Sequence, residues 1–171
     1  MGKHTKVVYR EVQRPRQILW WVLILLVAIF MWYWFIQQII FGVPMGDKPA
    51  PDVVTIIFWL IFGIIFPVVM LGILKLIIEV RNDGIYIRFV PFHFQYKQFL
   101  FKDIRYYDSI TNSPLKRFGG WGIRFNLKGE TAYNLNGKEG IELRLKYNTV
   151  IIGSQKPNEL KKAMDTVQKT Q

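Results

Sequence analysis

The chain has 171 residues, of which 51% are apolar and 16% aromatic, and its 23 Lys and Arg against 12 Asp and Glu give a net charge of +11. This length allows one modest globular domain, and so apolar a chain is not wholly disordered, because it can bury enough surface to offset its ordering entropy. The absence of cysteine excludes disulfides, iron-sulfur clusters and Cys-ligated zinc, and two histidines are too few for a His-rich metal site.

The first predicted elements are a basic segment, residues 1–17, and an uncharged run, residues 18–41. As a helix of about 24 residues the run is roughly 36 Å long, against a hydrocarbon core of about 30 Å, which predicts a transmembrane helix. A cleaved signal peptide is the alternative. We expect the run to be retained, because it is longer than the roughly 7–15 residues of a signal-peptide core and no small-x-small cleavage site follows.

A short loop, residues 42–52, leads to a second predicted transmembrane helix, residues 53–78. Pro67 lacks an N–H and its ring presses on the carbonyl of Gly63, so we expect a kink there. This kink has a functional interpretation, a hinge, and a structural one, since membrane helices tolerate proline. No charged side chain or histidine lies in the central part of either helix, so we propose no ion pathway or proton relay.

The flanking charges predict the orientation of this helical hairpin. Five cations and only Glu11 precede the first helix, whereas the loop between the helices carries Lys48 with Asp47 and Asp52. Because positive charge is retained on the cytoplasmic side, we expect a multi-pass protein of the cell membrane with both termini in the cytoplasm.

From residue 79 onward the composition predicts a cytoplasmic, mainly β domain. Asn82-Asp83-Gly84 is a hairpin turn between two strand-like runs, and further short runs rich in β-branched and aromatic residues follow. The last four of these runs are separated by tight turns, which predicts an antiparallel meander. Apolar positions at helical spacing then predict an amphipathic helix over residues 157–169. The expected fold is a small antiparallel barrel or sandwich of seven or eight strands capped by this helix.

Five short motifs lie along this order of elements: the NDG hairpin, a PFHF segment, KDI before a strand, Gly119–Arg124 within FGGWGIR, and GSQKP before the last helix. Together with the two predicted spans, they resemble prokaryotic two-span membrane proteins that carry a C-terminal pleckstrin-homology-like (PH-like) domain. The resemblance covers nearly the whole chain. It implies a PH-like barrel, a largely uncharacterised function and no known catalytic residues, and it carries over no ligand.

The glycine-rich loop is the candidate interaction site. Glycines around a tryptophan permit a sharp turn or close approach to another surface, beside a large amphipathic ring. In the functional interpretation this loop recognises a partner or anionic lipid, and in the structural one the glycines form a corner while the tryptophan closes the end of the barrel. The candidate residues are Lys116, Arg117, Gly119, Gly120, Trp121 and Arg124.

No catalytic, cofactor or metal site is expected. The chain has none of the phosphate-loop, dinucleotide, serine-hydrolase or zinc-protease motifs, and its acidic residues are not paired in a suggestive way. His93 lies between aromatic residues, which is more typical of a packed side chain than of a general base. The cations are spread over alternating strand positions, so we do not expect nucleic-acid binding.

These observations leave two classes of function. The first is a membrane-anchored PH-like interaction or scaffold module that binds a protein partner or a second copy of itself. The second is an accessory or regulatory subunit of a transport or channel assembly, or a domain that senses anionic lipid. The excess of cations in the β domain favours contact with anionic headgroups. The sequence identifies no specific molecular function.

Overall fold

A computed structural model describes residues 6–111 and 117–170. The chain divides into two compact units: a helical unit, residues 16–74, and a β unit formed by residues 1–15 together with residues 75–171. The β unit is therefore built from segments on both sides of the helical unit.

The helical unit contains two long apolar helices, Ile18–Ile40 and Asp52–Ile73. The first is α-helical over Ile18–Phe35 (α1) and ends in wider π-type turns. The second begins as α2, Asp52–Phe58, and continues largely in π-type turns. Both helices are long and apolar enough to cross a membrane, and within the 18-residue windows only 11% and 0% of residues are buried.

Aromatic side chains and a glycine join the two helices. The ring of Trp59 stacks on Phe35 with centroids 4.1 Å apart and meets Trp32 edge-on at 5.1 Å. Gly63 allows the close approach, because a β-carbon there would lie 3.1 Å from Trp59 and 3.4 Å from Met31.

Pro67 is accommodated by the neighbouring helix. A proline at this position cannot donate to the carbonyl of Gly63, one turn earlier. Trp32 Nε1 donates to that same oxygen at 3.3 Å. The indole thus supplies a donor to the oxygen that Pro67 cannot reach with an N–H of its own, and the residues on both sides of Pro67 form wide turns. This contact favours the structural interpretation of the proline.

The described part of the β unit has nine strands and one long helix. Their bounds are β1 Val7–Gln13, β2 Lys75–Arg81, β3 Gly84–Val90, β4 Lys97–Leu100, β5 Ile104–Thr111, β6 Gly122–Phe125, β7 Thr131–Asn134, β8 Glu139–Leu145, β9 Thr149–Gly153 and α3 Pro157–Lys169. The mainly β character and the C-terminal helix agree with the sequence prediction.

Strands β1 to β4 form one antiparallel sheet in sequential order. The NDG turn joins β2 to β3 as predicted. Strand β1 was not predicted: the basic segment 1–17 was expected to stand apart from the domain, but Gln13 pairs with Leu76 and Arg10 with Glu79. The second helix also ends at Ile73 rather than at residue 78, because the apolar residues Leu76, Ile77 and Ile78 that follow Lys75 belong to β2.

Strands β5 to β9 form a second sheet in the order β5-β8-β9-β7-β6. The predicted meander of the last four strands is wrong. Hairpins β6-β7 and β8-β9 do form, but β7 pairs with β9 in parallel rather than with β8. The two sheets are separate and do not close into a barrel.

Helix α3 is attached to the β unit through its apolar face. Leu160, Met164 and Val167 lie at helical spacing and are buried, with Leu160 and Met164 at 0% exposure. Pro157 occupies the first turn, where its missing N–H leaves no intrahelical bond unmade.

Candidate functional site

The glycine-rich loop precedes β6 at the border of the second sheet. Gly119, Gly120 and Gly122 have φ angles of 69°, 143° and 107°. These backbone conformations are open to glycine and strained for other residues, which explains the composition of the motif. Lys116, the first of the candidate residues, lies outside the residues that the structure describes.

Arg117 is an internal ion-pair partner rather than an exposed cation. Its guanidinium bonds Glu130 at 2.5 Å and Glu142 at 3.2 Å. The hydrogen bond to Glu130 raises the pKa of Arg117, and the same bond lowers the pKa of Glu130. The adjacent Phe118 is 7% exposed and packs with Ala132 of β7. This side of the loop is structural.

Trp121 and Arg124 close the rest of the loop. Trp121 Nε1 donates to the carbonyl of Gly137 at 3.3 Å, and Arg124 Nε donates to the carbonyl of Trp121 at 3.0 Å. The indole is half-buried and the side chain of Arg124 is exposed. The structure thus brings Trp121 and Arg124 together, whereas Arg117 pairs with Glu130 and Glu142.

The β6-β7 hairpin, which follows this loop, exposes apolar side chains that the sequence analysis missed. Phe125 is 71% exposed and Leu127 is fully exposed. The turn is ordered, because Asn126 Oδ1 accepts hydrogen bonds from the backbone N–H groups of Lys128 and Glu130, both at 3.0 Å. A structured turn therefore holds two apolar side chains in solvent.

Strand β6 is also an edge strand. Among the described residues it pairs with β7 alone. An edge strand presents unpaired backbone groups, which natural proteins use for pairing with another chain. We call Arg124, Phe125, Leu127 and Lys128 the β6 surface. Its two cations flank two apolar side chains beside the edge of β6 that no described strand covers.

A buried carboxylate on β1 is the second feature that the sequence analysis missed. Glu11 is 8% exposed and accepts hydrogen bonds from Tyr9 Oη at 3.0 Å, Gln13 Nε2 at 2.8 Å, Ser154 Oγ at 2.6 Å and the Gln155 backbone N–H at 2.8 Å. Burial and the Glu11 carboxylate raise the pKa of Tyr9. The Tyr9 hydroxyl therefore keeps its proton and donates a hydrogen bond to Glu11. Glu11 thus ties the segment before the helical unit to the segment that opens α3.

No group of three or more His, Asp or Glu side chains in the described ranges is arranged to hold a metal ion. Carboxylates Glu11, Glu130 and Glu142 are occupied by the hydrogen bonds and ion pairs given above.

Replacing Arg117 with methionine is expected to lower the free energy of unfolding by about 1–2 kcal/mol, because half-buried Glu130 and buried Glu142 each lose one charged hydrogen-bond partner. The hydrogen bond from Arg117 lowers the pKa of Glu130 in the folded state. Ionised Glu130 therefore stabilises the folded protein above the ordinary carboxyl pKa, and this contribution is lost as pH falls through the lowered pKa. Denaturant unfolding between neutral and acid pH measures both effects. Arg124→Met is the control, and an equal loss in both variants would contradict the assignment.

Comparison with known proteins gives one family. A family model described as "Family of unknown function (DUF6141)" matches residues 2–169. No curated protein matches the chain, and no solved structure does. The match covers nearly the whole sequence, including both apolar helices and both segments of the β unit.

Proposed function

The chain belongs to the DUF6141 family of unknown function, and we propose that it is a membrane-anchored, non-catalytic interaction module. In this proposal the two helices cross the cell membrane and the β unit binds a protein partner at the cytoplasmic face. The observation that carries it is the β6 surface, an exposed apolar hairpin on a free strand edge, joined by the chain to two membrane-length helices.

The pairing of β1 with β2 supports the anchoring. β1 precedes the helical unit and β2 follows it, and Gln13 lies opposite Leu76. Neighbouring strands are about 4.8 Å apart, so the chain leaves for the helices and returns from them at nearly the same place. This pairing supports the proposal that both ends lie on one side of the membrane, and the cations before the first helix favour the cytoplasmic side.

The β unit is also proposed to be related to PH-like domains. Two sheets of mostly antiparallel strands and a C-terminal helix support this relation. Two features differ from the predicted antiparallel domain: β7 pairs with β9 in parallel, and β1 comes from the segment before the helices.

The β6 surface fits an extended, acidic segment of a protein partner. A strand added at β6 pairs through the backbone, while Phe125 and Leu127 supply apolar contact. Arg124 and Lys128 are exposed cations at either end of this apolar pair. They favour a partner of opposite charge.

Site-specific photo-crosslinking in native membranes tests the proposal. A photoreactive amino acid at Phe125 or Leu127 is expected to trap a partner, while the same probe at Tyr106 is not, because β5 lies at the opposite border of the sheet. The trapped protein is then purified, and its affinity for the full-length chain is measured.

The double variant Phe125→Ser and Leu127→Ser is expected to weaken that binding at least about tenfold, as loss of apolar anchors does. An unchanged affinity, or equal crosslinking from Tyr106, would show that the β6 surface is not the binding site.

A further inference from the structure

The chain leaves the first sheet for the helical unit, and returns from the helical unit, at the same border of that sheet. β1 ends there at Gln13, β2 begins there at Lys75, and β3 ends there at Val90, which pairs with Lys75. The next residues, Pro91–Phe94, therefore lie at the same border. We call them the PFHF loop.

The PFHF loop is an ordered projection that presents phenylalanine to solvent. Phe92 is 61% exposed and Phe94 is 90% exposed. His93 between them is held inward: its N–H donates to the carbonyl of Phe89 at 2.7 Å, and its Nδ1 accepts from the N–H of Phe89 at 3.3 Å. Arg88 Nε donates to the His93 carbonyl at 3.2 Å. The backbone between the two exposed rings is thus held by the backbone and imidazole contacts of His93.

The same border is cationic. Arg14 follows the last residue of β1 and is exposed, and Lys75 opens β2. The sequence has no Asp or Glu over residues 12–46, 53–78 or 84–102. Exposed aromatic rings together with Lys and Arg side chains are the composition of surfaces that bind anionic lipid at the membrane interface.

The covalent connections place this border beside the lipid headgroups. The second apolar helix ends at Ile73, only two residues before Lys75. Val90 lies across from Lys75 at about the 5 Å spacing of neighbouring strands. The headgroup layer on each side of the hydrocarbon core is itself roughly 5–7 Å thick, so side chains of the PFHF loop are within its reach.

We propose that the PFHF loop inserts Phe92 and Phe94 into the interfacial layer of the anionic bilayer that the helices cross, with Arg14 and Lys75 at the headgroups. The insertion holds the β unit against the membrane. Within the β unit, Gln13 bonds Gly153 at the end of β9, whereas the β6-β7 turn lies at the opposite end of β7. This inference rests on the membrane anchoring in the proposed function.

The test uses the full-length chain, which has no native cysteine, reconstituted in vesicles of phosphatidylcholine with a minority of phosphatidylglycerol. A fluorophore on Gln95→Cys, next to the PFHF loop, is quenched by lipids that carry a nitroxide near the headgroup. Replacing Phe92 and Phe94 with serine in this background is expected to lower the equilibrium constant for docking at least about tenfold per ring, and to remove most of the quenching. The control Tyr147→Ser changes a ring that is 87% exposed, in the turn between β8 and β9, and is expected to leave quenching unchanged.

A second label separates failure of this inference from failure of the anchoring. A fluorophore on Ile29→Cys, in the middle of the first apolar helix, is expected to be quenched by nitroxides at the bilayer centre. If Ile29 is quenched but Gln95 is not, or if Gln95 quenching survives loss of both rings, the PFHF insertion is overturned. If Ile29 is not quenched, the anchoring itself is wrong, and the insertion falls with it.

Discussion

Replacing Glu11 with alanine is expected to lower the free energy of unfolding of the β unit by about 3 kcal/mol or more. The substitution removes the acceptor of four hydrogen bonds at an almost fully buried site, and donors left without a partner there keep their full desolvation cost. Such a loss corresponds to a fall in Tm of more than about 10 °C for a domain of this size.

Unfolding of the full-length protein in detergent, followed by circular dichroism, measures this loss. Limited proteolysis adds a specific readout: cleavage within residues 6–15 is expected to accelerate, because Glu11 ties β1 to Ser154 and Gln155. Glu159→Ala, at an exposed position on α3, is the control and is expected to change stability by less than about 0.5 kcal/mol. An equal effect of the two variants would mean that β1 is not held through Glu11.

A methyl group at Gly140 is expected to cost about 3 kcal/mol or more, or to prevent folding of the second sheet. A β-carbon there would lie inside van der Waals contact of the Ile152 carbonyl oxygen and 3.0 Å from Gly153 Cα. Both neighbours are backbone atoms of β9, paired with Gly140 itself, so relief requires separating β8 from β9.

Thermal unfolding of Gly140→Ala compared with Gly72→Ala tests this expectation. Gly72 has no atom within 4 Å of its β-carbon position, so its substitution is expected to be nearly neutral. A Gly140→Ala protein as stable as the parent would show that β8 and β9 are not paired in this register.

The elements with strong local signals could be predicted from the sequence. Two uncharged runs of membrane length, the NDG turn and the periodic apolar positions of α3 each depend on residues close together in the chain. Strand β1 could not be predicted in the same way. Its partner β2 lies more than sixty residues downstream, and the basic charge of residues 1–17 is equally typical of a segment flanking a membrane helix.

The order of strands in the second sheet was the clearest error. Tight turns predict hairpins between neighbours, and β6-β7 and β8-β9 are such hairpins. The parallel β7-β9 pair depends on contacts between residues distant in sequence, which turn chemistry does not encode.

Only part of the candidate site was predictable. The glycines of the loop predicted an unusual backbone conformation, and Gly119, Gly120 and Gly122 do have positive φ angles. The sequence did not show that Arg117 is used internally or that Phe125 and Leu127 are exposed, because alternation within a four-residue strand does not say which face is covered.

Cysteine accessibility in intact cells tests the central claim most directly, since every introduced cysteine is the only one in the chain. Single cysteines are placed at Lys6, Lys48 and Lys128 and treated with a membrane-impermeant maleimide. If the two helices cross the membrane, the loop between them lies outside the cell and both segments of the β unit lie in the cytoplasm. We therefore expect labelling of Lys48→Cys in intact cells, and labelling of Lys6→Cys and Lys128→Cys only after permeabilisation. Labelling of Lys128→Cys in intact cells, or of Lys6→Cys and Lys128→Cys from opposite sides, would contradict the account.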